Sequence, residues 1–170
     1  LYSFLADSTQ DALKRIAQNA QNKIVFHCVD DERFVRQITK IEYISKATYY
    51  RYLIPELLSD VSKALYLDAD ILVNRNLNDI FEISLGDCYA AGVEDRCIEK
   101  RDDGTYLDSV GMGHLKTCYV NAGVLLLNLD KIREDGLQKR FFENDEALQN
   151  KIQFQDQDVL NYTFNGNVIL

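Results

Sequence analysis

Hydrophobic positions recur along this chain at two spacings, and the two alternate. Residues 1–6 and 24–29 are β-rich runs, whereas Ala12, Leu13, Ile16, Ala17 and Ala20 between them repeat at helical spacing. That pattern predicts a helix capped by Asp7 or Ser8 and running to about Ala20. After a charged loop, Ser45 stands where a cap belongs for a helix through Leu58, with Pro55 placed to kink its end. Residues 63–68, 89–93 and 119–129 read as further strands, the last interrupted by Gly123, and residues 96–113 as an irregular polar loop. Asp130 caps a predicted helix to about Phe142, Asp156 another through Tyr162, and a last strand closes the chain. Strands alternating with helices predict an α/β fold around a mostly parallel sheet flanked by helices. With 170 residues, 46% of them hydrophobic, and neither internal repeat nor low-complexity linker, the expectation is a single domain over residues 1–170.

Charge narrows the partners. The net charge is −8, and the 19 Lys and Arg are scattered among 27 acids, which argues against a nucleic-acid backbone as partner. An anionic substrate would need a cation to help hold it. Cys28, Cys88, Cys97 and Cys118 form no C-x-x-C and no zinc-ligand spacing, the pattern of reduced thiols in a cytosolic protein. No run approaches the length of a membrane span and no signal peptide is present. The only methionine is Met112 and both ends are strand-like, so the chain is expected to be a portion of a longer protein, truncated at both ends.

The apolar run Ala64-Leu65-Tyr66-Leu67 ends in Asp68-Ala69-Asp70 and resumes with Ile71-Leu72-Val73. In an extended strand both carboxylates leave on one face, with Cα atoms roughly 6.5 Å apart. Such a pair repels by about 3 kcal/mol at an effective dielectric of 20, which a divalent cation with oxygen ligands would relieve. The spacing alone carries little weight, because 18 Asp in 170 residues give roughly two Asp-x-Asp triplets by chance, and the chain has two, at 68–70 and 156–158. Its setting at the end of a buried-strand pattern carries more, since open α/β sheets bind ligands outside the carboxyl ends of their strands. Two other segments combine polar groups with backbone freedom. In YVNAGVLLLN, Ala122 and Gly123 allow close approach to the backbone and Asn121 offers a donor and an acceptor, although a β-bulge within the strand explains the same residues. In FQDQDVLN, Asp156 and Gln157 are candidates, with plain helix capping by Asp156 as the alternative. His27 lies mid-strand as a packing residue, and His114 in a loop as a solvated one.

Taken in order, ISKATYYRYLIPELL, KALYLDADILV, YVNAGVLLLNL and FQDQDVLN resemble glycosyltransferase family 8, which includes bacterial lipopolysaccharide galactosyl- and glucosyltransferases and glycogenin. The resemblance runs from about Ile24 to the end of the chain. It implies a GT-A fold with a mixed, mostly parallel sheet, a UDP-hexose donor, Mn²⁺ or Mg²⁺, and transfer with retention at the anomeric carbon. It implies that Asp68 and Asp70 ligate the metal bridging the diphosphate, with Ala69 between them in the donor site and Asp68 also near the ribose or sugar. Ile44, Ser45 and Thr48 match positions that touch the nucleotide, and Arg51 the arginine that reaches the donor sugar. Asn121, Ala122, Asp156 and Gln157 match positions that hydrogen-bond the sugar hydroxyls, and Asp95 an acidic residue near the sugar. Gln157 matches the residue facing the anomeric carbon. An amide is a poor nucleophile there, which favours front-face attack and departure, while Asp156 or Asp95 could be argued as a covalent nucleophile.

The chain departs from the family pattern at both ends. The strand that holds uracil and ribose belongs before Leu1, and a His-x-x-Gly-x-x-Lys-Pro segment, whose histidine completes the metal site, belongs downstream. The implied acceptor is a glycan, lipopolysaccharide or glycoprotein. The implied location is cytoplasmic, with peripheral contact at the inner face of the membrane left to the C-terminal part. Two other readings compete: an inactive member of the fold that only binds glycans or nucleotide sugars, and a receiver-type phosphoacceptor module built on Asp30, Asp31 and Asp68. The receiver reading lacks the lysine and hydroxyl residue it needs, since the later strand ends offer Asn121 and Asn128 instead.

Overall fold

A computed structural model describes residues 1–40 and 45–170, which divide into two compact units, Leu1–Arg51 and Tyr52–Leu170. In the first unit, helix α1 (Asp7–Asn19) forms where the periodicity places it. None of its residues is buried, and Ala6 precedes it without a side-chain cap, so neither Asp7 nor Ser8 caps it. The two expected strands, residues 1–6 and 24–29, reduce to one parallel bridge between Tyr2 and Cys28. It is held by Tyr2 N to the His27 carbonyl at 3.2 Å and Val29 N to the Tyr2 carbonyl at 2.7 Å. A short 3-10 turn, Asp31–Phe34, follows, and Asp30 accepts from Glu32 N to start it. The segment expected as one helix from Ser45 is a 3-10 helix, Lys46–Leu53, then a single α-turn, α2 (Ile54–Leu57), with Pro55 in its first turn rather than at its end. Proline fits there because those N–H groups need no helical partner.

The second unit is built on four strands, β1 (Lys63–Leu67), β2 (Ala90–Glu94), β3 (Val120–Asn128) and β4 (Val168–Ile169), in the order β1-β3-β2-β4. β3 pairs antiparallel with β1 and β2, and β2 pairs parallel with β4. The sheet is therefore mixed, as expected, but not mostly parallel: two of the three pairings are antiparallel. β3 lies between β1 and β2 and runs against both, so β1, β2 and β4 share one direction and the two antiparallel pairings are those of β3. The links from β1 to β2 and from β2 to β3 carry only the one-turn α-helices α3 (Asn78–Phe81) and α4 (Tyr106–Ser109), with short 3-10 turns.

Long helices come after β3. The stretch expected as one helix from Asp130 to Phe142 is two, α5 (Leu129–Glu134) and α6 (Leu137–Leu148), parted by Gly136 at φ 65°. Asn128 caps α5 in place of Asp130, its Oδ1 accepting from Lys131 N. α7 (Gln155–Phe164) leads into β4. Phe141, Phe164, Tyr52 and Tyr89 form a run of ring contacts at 5.4–5.9 Å beneath these helices. Leu85, Ala91 and Leu126 form a second buried cluster, against which Leu65, Ile80 and Ile169 pack. β3 is thus covered on both faces, which is why residues 124–127 read as an unbroken apolar run.

Candidate functional site

The regular ladder of β3 fails in one place. Leu125 pairs with Gly92 and Val120 with Glu94, so four residues of β3 lie opposite one residue of β2. The backbone groups freed there are claimed by side chains and by one neighbouring strand end. Asn161 of α7 grips Val120 like a strand, Nδ2 donating to its carbonyl at 2.8 Å and Oδ1 accepting from its N–H at 2.7 Å. Gln157, one turn earlier, accepts from Ala122 N through Oε1 at 3.0 Å. Asn121 Oδ1 accepts from Gly123 N at 2.9 Å, and the Gly123 carbonyl accepts from Asp68 N at 2.8 Å. Buried backbone groups must find partners, so the defect fixes α7 and the end of β1 beside residues 121–123. The bulge reading of this segment and its candidacy as a site are the same feature.

Around the defect the polar side chains converge. Gln157 Nε2 donates to Asp95 Oδ2 at 3.0 Å, and Asn121 Nδ2 lies 3.5 Å from the same oxygen. Asp95 Oδ1 accepts from Cys97 N at 3.0 Å, which orients the carboxylate. Asp68 is half-buried, and its Oδ1 accepts from Tyr66 Oη at 2.7 Å. Its other oxygen reaches over Gly123 so closely that a Cβ there would lie 2.8 Å from Asp68 Oδ2 and 3.0 Å from Asn121 Oδ1. Asp95 and Asn121 form the polar wall of an open pocket of about 770 Å³, with Val93, Val124 and Leu170 on its apolar side.

Asp68, Asn121, Ala122, Gln157 and Asp95 thus come together through hydrogen bonds around residues 121–123. Asp156 is buried in the first turn of α7 beside Gln157. It does not cap that helix, which begins after Phe154 without a side-chain cap. Ala69 and Asp70 are exposed in a turn closed by Ile71 N on the Asp68 carbonyl at 3.2 Å. The two carboxylates therefore flank a turn, and the spacing expected for an extended strand does not apply, because β1 ends at Leu67. Ser45, Thr48 and Arg51 lie in the first unit. There Ser45 Oγ accepts from Ala47 N at 3.3 Å, and buried Arg51 donates from Nε to the Thr48 carbonyl at 3.1 Å. Ile44 falls outside the described residues. His27 is half-buried, and His114, exposed, has Nε2 2.7 Å from Asn165 Oδ1.

Among the described residues no three His, Cys, Asp or Glu side chains gather into a metal cage. The donors that Asp68 and Asp70 offer are hard carboxylate oxygens, suited to Mn²⁺ or Mg²⁺ with further oxygens supplied by phosphate or water. The chemistry of these two carboxylates fits a hard divalent ion.

Sequence reasoning passed over Asp158, Tyr106, Tyr119 and Asn161. Asp158 is fully buried, and burial lifts its carboxyl above the usual range against the pull of its hydrogen-bond donors. Burial first, then the Asp158 charge, raises the Tyr106 and Tyr119 hydroxyls as well. The only available signal was the four-residue spacing of Gln157 and Asn161, which sets both amides on one helix face.

A family model described as glycosyl transferase family 8 matches residues 1–170. A crystal structure of the galactosyltransferase LgtC with donor and acceptor sugar analogs superposes with a TM-score of 0.88 at 33% identity, over 98% of this chain and 59% of that one. The chain is 27% identical to the lipopolysaccharide 1,3-galactosyltransferase of Salmonella typhimurium over 93% of its length and 47% of the relative's. To the lipopolysaccharide 1,2-glucosyltransferase of Escherichia coli it is 28% identical over 91% of its length and 45% of the relative's. The chain thus spans about half the length of these curated relatives. No helix among the described residues is long and apolar enough to cross a membrane.

Proposed function

This chain belongs to glycosyltransferase family 8, and from that premise we propose that its protein moves glucose or galactose, with retention, from a UDP-sugar to a glycan or lipopolysaccharide acceptor. The fold is GT-A, as in LgtC. The observation that carries the reading is the β3 defect, where Asp68, Asn121, Asp95 and Gln157 gather around residues 121–123.

Each group has chemistry suited to such a donor. Asp68 and Asp70 would hold Mn²⁺ or Mg²⁺, which supplies positive charge to the diphosphate and so stabilises UDP as it departs. An acidic protein could bind an anionic donor in this way. Asp95 can accept from a sugar hydroxyl, and Asn121 can donate and accept. Gln157 spends its Oε1 on Ala122 N and its Nε2 on Asp95. Both bonds fix the amide beside Asp95, and as an amide it orients the sugar rather than attacking it. That supports attack and departure on one face. Asp156, buried next to it, and the Ala122 backbone complete the sugar contacts, with Ala69 exposed in the turn between the metal carboxylates. From family resemblance alone, Ile44, Ser45 and Thr48 are proposed to touch the nucleotide and Arg51 to reach the donor sugar.

UDP release from UDP-glucose and UDP-galactose by the full-length protein, with Mn²⁺ and with EDTA, tests this. The expected result is metal-dependent release favouring one sugar, lost in Asp68→Asn and Asp70→Asn. Metal-independent release, or Mn²⁺ binding unaffected by both substitutions, refutes it.

A further inference from the structure

Asp158 spends an expensive group in the interior. Its side chain is fully buried, yet both oxygens are occupied. Oδ1 accepts from Tyr119 Oη at 2.6 Å, and Oδ2 accepts from Tyr106 Oη at 2.5 Å, Phe154 N at 2.7 Å and Gln153 N at 3.2 Å. A buried carboxylate is costly unless fully satisfied, and an apolar side chain would often serve stability as well.

The bonds join three segments of the second unit. Tyr106 belongs to α4, directly after the 3-10 stretch Ile98–Gly104, in which Asp102 and Asp103 adopt positive φ. Tyr119 precedes the β3 defect, and its hydroxyl lies 3.5 Å from Gln157 Nε2. Gln153 and Phe154 lead into α7, whose first residue, Gln155, is buried at φ 48°. A left-handed non-glycine residue must be held by its surroundings, and Asp158 clamps the two N–H groups immediately before it. Two residues after Gln155 comes Gln157, and Gln157 holds Asp95. Tyr106 Oη also accepts from Gln153 N at 2.8 Å, doubling the tie between α4 and the start of α7.

We propose that Asp158, Tyr106 and Tyr119 form a buried positioning cluster that sets Gln157, and through it Asp95, for sugar transfer, and latches residues 98–109 to the start of α7. The proposal rests on the transfer reading of the site. Asp158 is a positioning residue and not a reacting one, since neither oxygen is accessible to a substrate.

Three variants of the full-length protein test it: Tyr119→Phe and Tyr106→Phe, each of which deletes one hydroxyl, and Asp158→Asn. Two readouts are needed, the side-chain amide resonance of Gln157 in ¹⁵N spectra and the separate kcat and KM for the UDP-sugar. Tyr119→Phe is expected to shift the Gln157 amide and lower kcat about tenfold, with KM changed less than about threefold, because small misplacements of positioning groups cost rate. Tyr106→Phe is expected to act less on Gln157 and to speed amide exchange across 98–109. The Phe variants keep the test alive if Asp158→Asn fails to fold. Phe variants with lower melting temperatures but an unmoved Gln157 resonance and wild-type kcat overturn the positioning role while leaving the transfer reading standing. A wild-type protein that releases no UDP refutes the transfer reading itself.

Discussion

Gly123→Ala isolates the close approach on which the proposed metal site depends. The added Cβ would lie 2.8 Å from Asp68 Oδ2, 3.0 Å from Asn121 Oδ1 and 3.5 Å from Asp68 Cγ. An ordinary contact begins near 3.4 Å, so the carboxylate oxygen must retreat by about 0.6 Å. It can do so by turning about its own bond, but only by loosening the 2.7 Å bond from Tyr66 Oη. Gly123 lies within β3 and has no positive φ. Alanine therefore fits its backbone, and in a strand interior it regains roughly 0.5–1 kcal/mol.

Two opposite effects follow. Folding should be unharmed, with a melting temperature equal to or slightly above wild type. Binding of UDP with Mn²⁺ should fall about tenfold, on the order of 1.4 kcal/mol, because a ligand oxygen is moved by half an ångström or more. Titration calorimetry of Mn²⁺ with UDP, beside a thermal melt, reads both. Wild-type affinity in Gly123→Ala, alongside lost binding in Asp68→Asn, would refute the argument that the missing side chain places the carboxylate. A collapse of stability would refute the assignment of the cost to Asp68 alone.

Asn161→Leu should destabilise the protein by about 3 kcal/mol in urea, because the buried Val120 N–H and carbonyl both lose their partner. Arg133 donates to the carbonyls of Pro55, Leu58 and Val61 at 3.1, 3.1 and 2.8 Å, and Arg133→Ala should cost about 2 kcal/mol, with Arg133→Lys recovering only part because an ammonium lacks the planar fork. The raised carboxyl of Asp158 gives a pH signature: between its unfolded value of 3.8 and its native one, the folded state holds a proton that the unfolded chain has lost. That contribution is fully present below the unfolded value and is lost as pH rises through the native one. Denaturant melts from pH 3 upward should show this fall, and Asp158→Asn should remove it; an unchanged slope in the variant would assign the titration elsewhere.

The parts of the fold that read true from the sequence are those where burial is one-sided or complete. β1, β2 and β3 formed where apolar runs predicted them; α1 is the exception, forming on its periodicity with none of its residues buried. Periodicity alone does not say whether a segment finds a partner: residues 1–6 and 24–29 have strand composition, yet only Tyr2 and Cys28 pair. Alternation of strands and helices likewise left direction open, because it does not say that β3 inserts between β1 and β2 and runs against both. Caps were misjudged where several candidates compete. Asp130 and Asn128 both suit a helix start, and Asn128 prevails because its Nδ2 also ties down the carbonyls of Gly86 and Cys88.

At the site, what could be read was chemistry and what could not was architecture. Asn121, Gln157 and Asp95 lie far apart in sequence, and their juxtaposition follows from one defect in β3, a bulge that Ala122 and Gly123 suggest without naming the partners that gather at it. The two Asp-x-Asp triplets make the point sharply. By spacing they are indistinguishable, and both were expected near chance frequency. The first ends a strand at an exposed turn beside a glycine, so its carboxylates meet what approaches from outside. The second lies inside the first turns of α7, where Asp158 is closed in by Tyr106, Tyr119 and two backbone N–H groups. Identical motifs thus take opposite roles, one available to a ligand and one withdrawn to hold other residues in place. The difference lies in tertiary burial, which two aspartates and a spacer cannot encode.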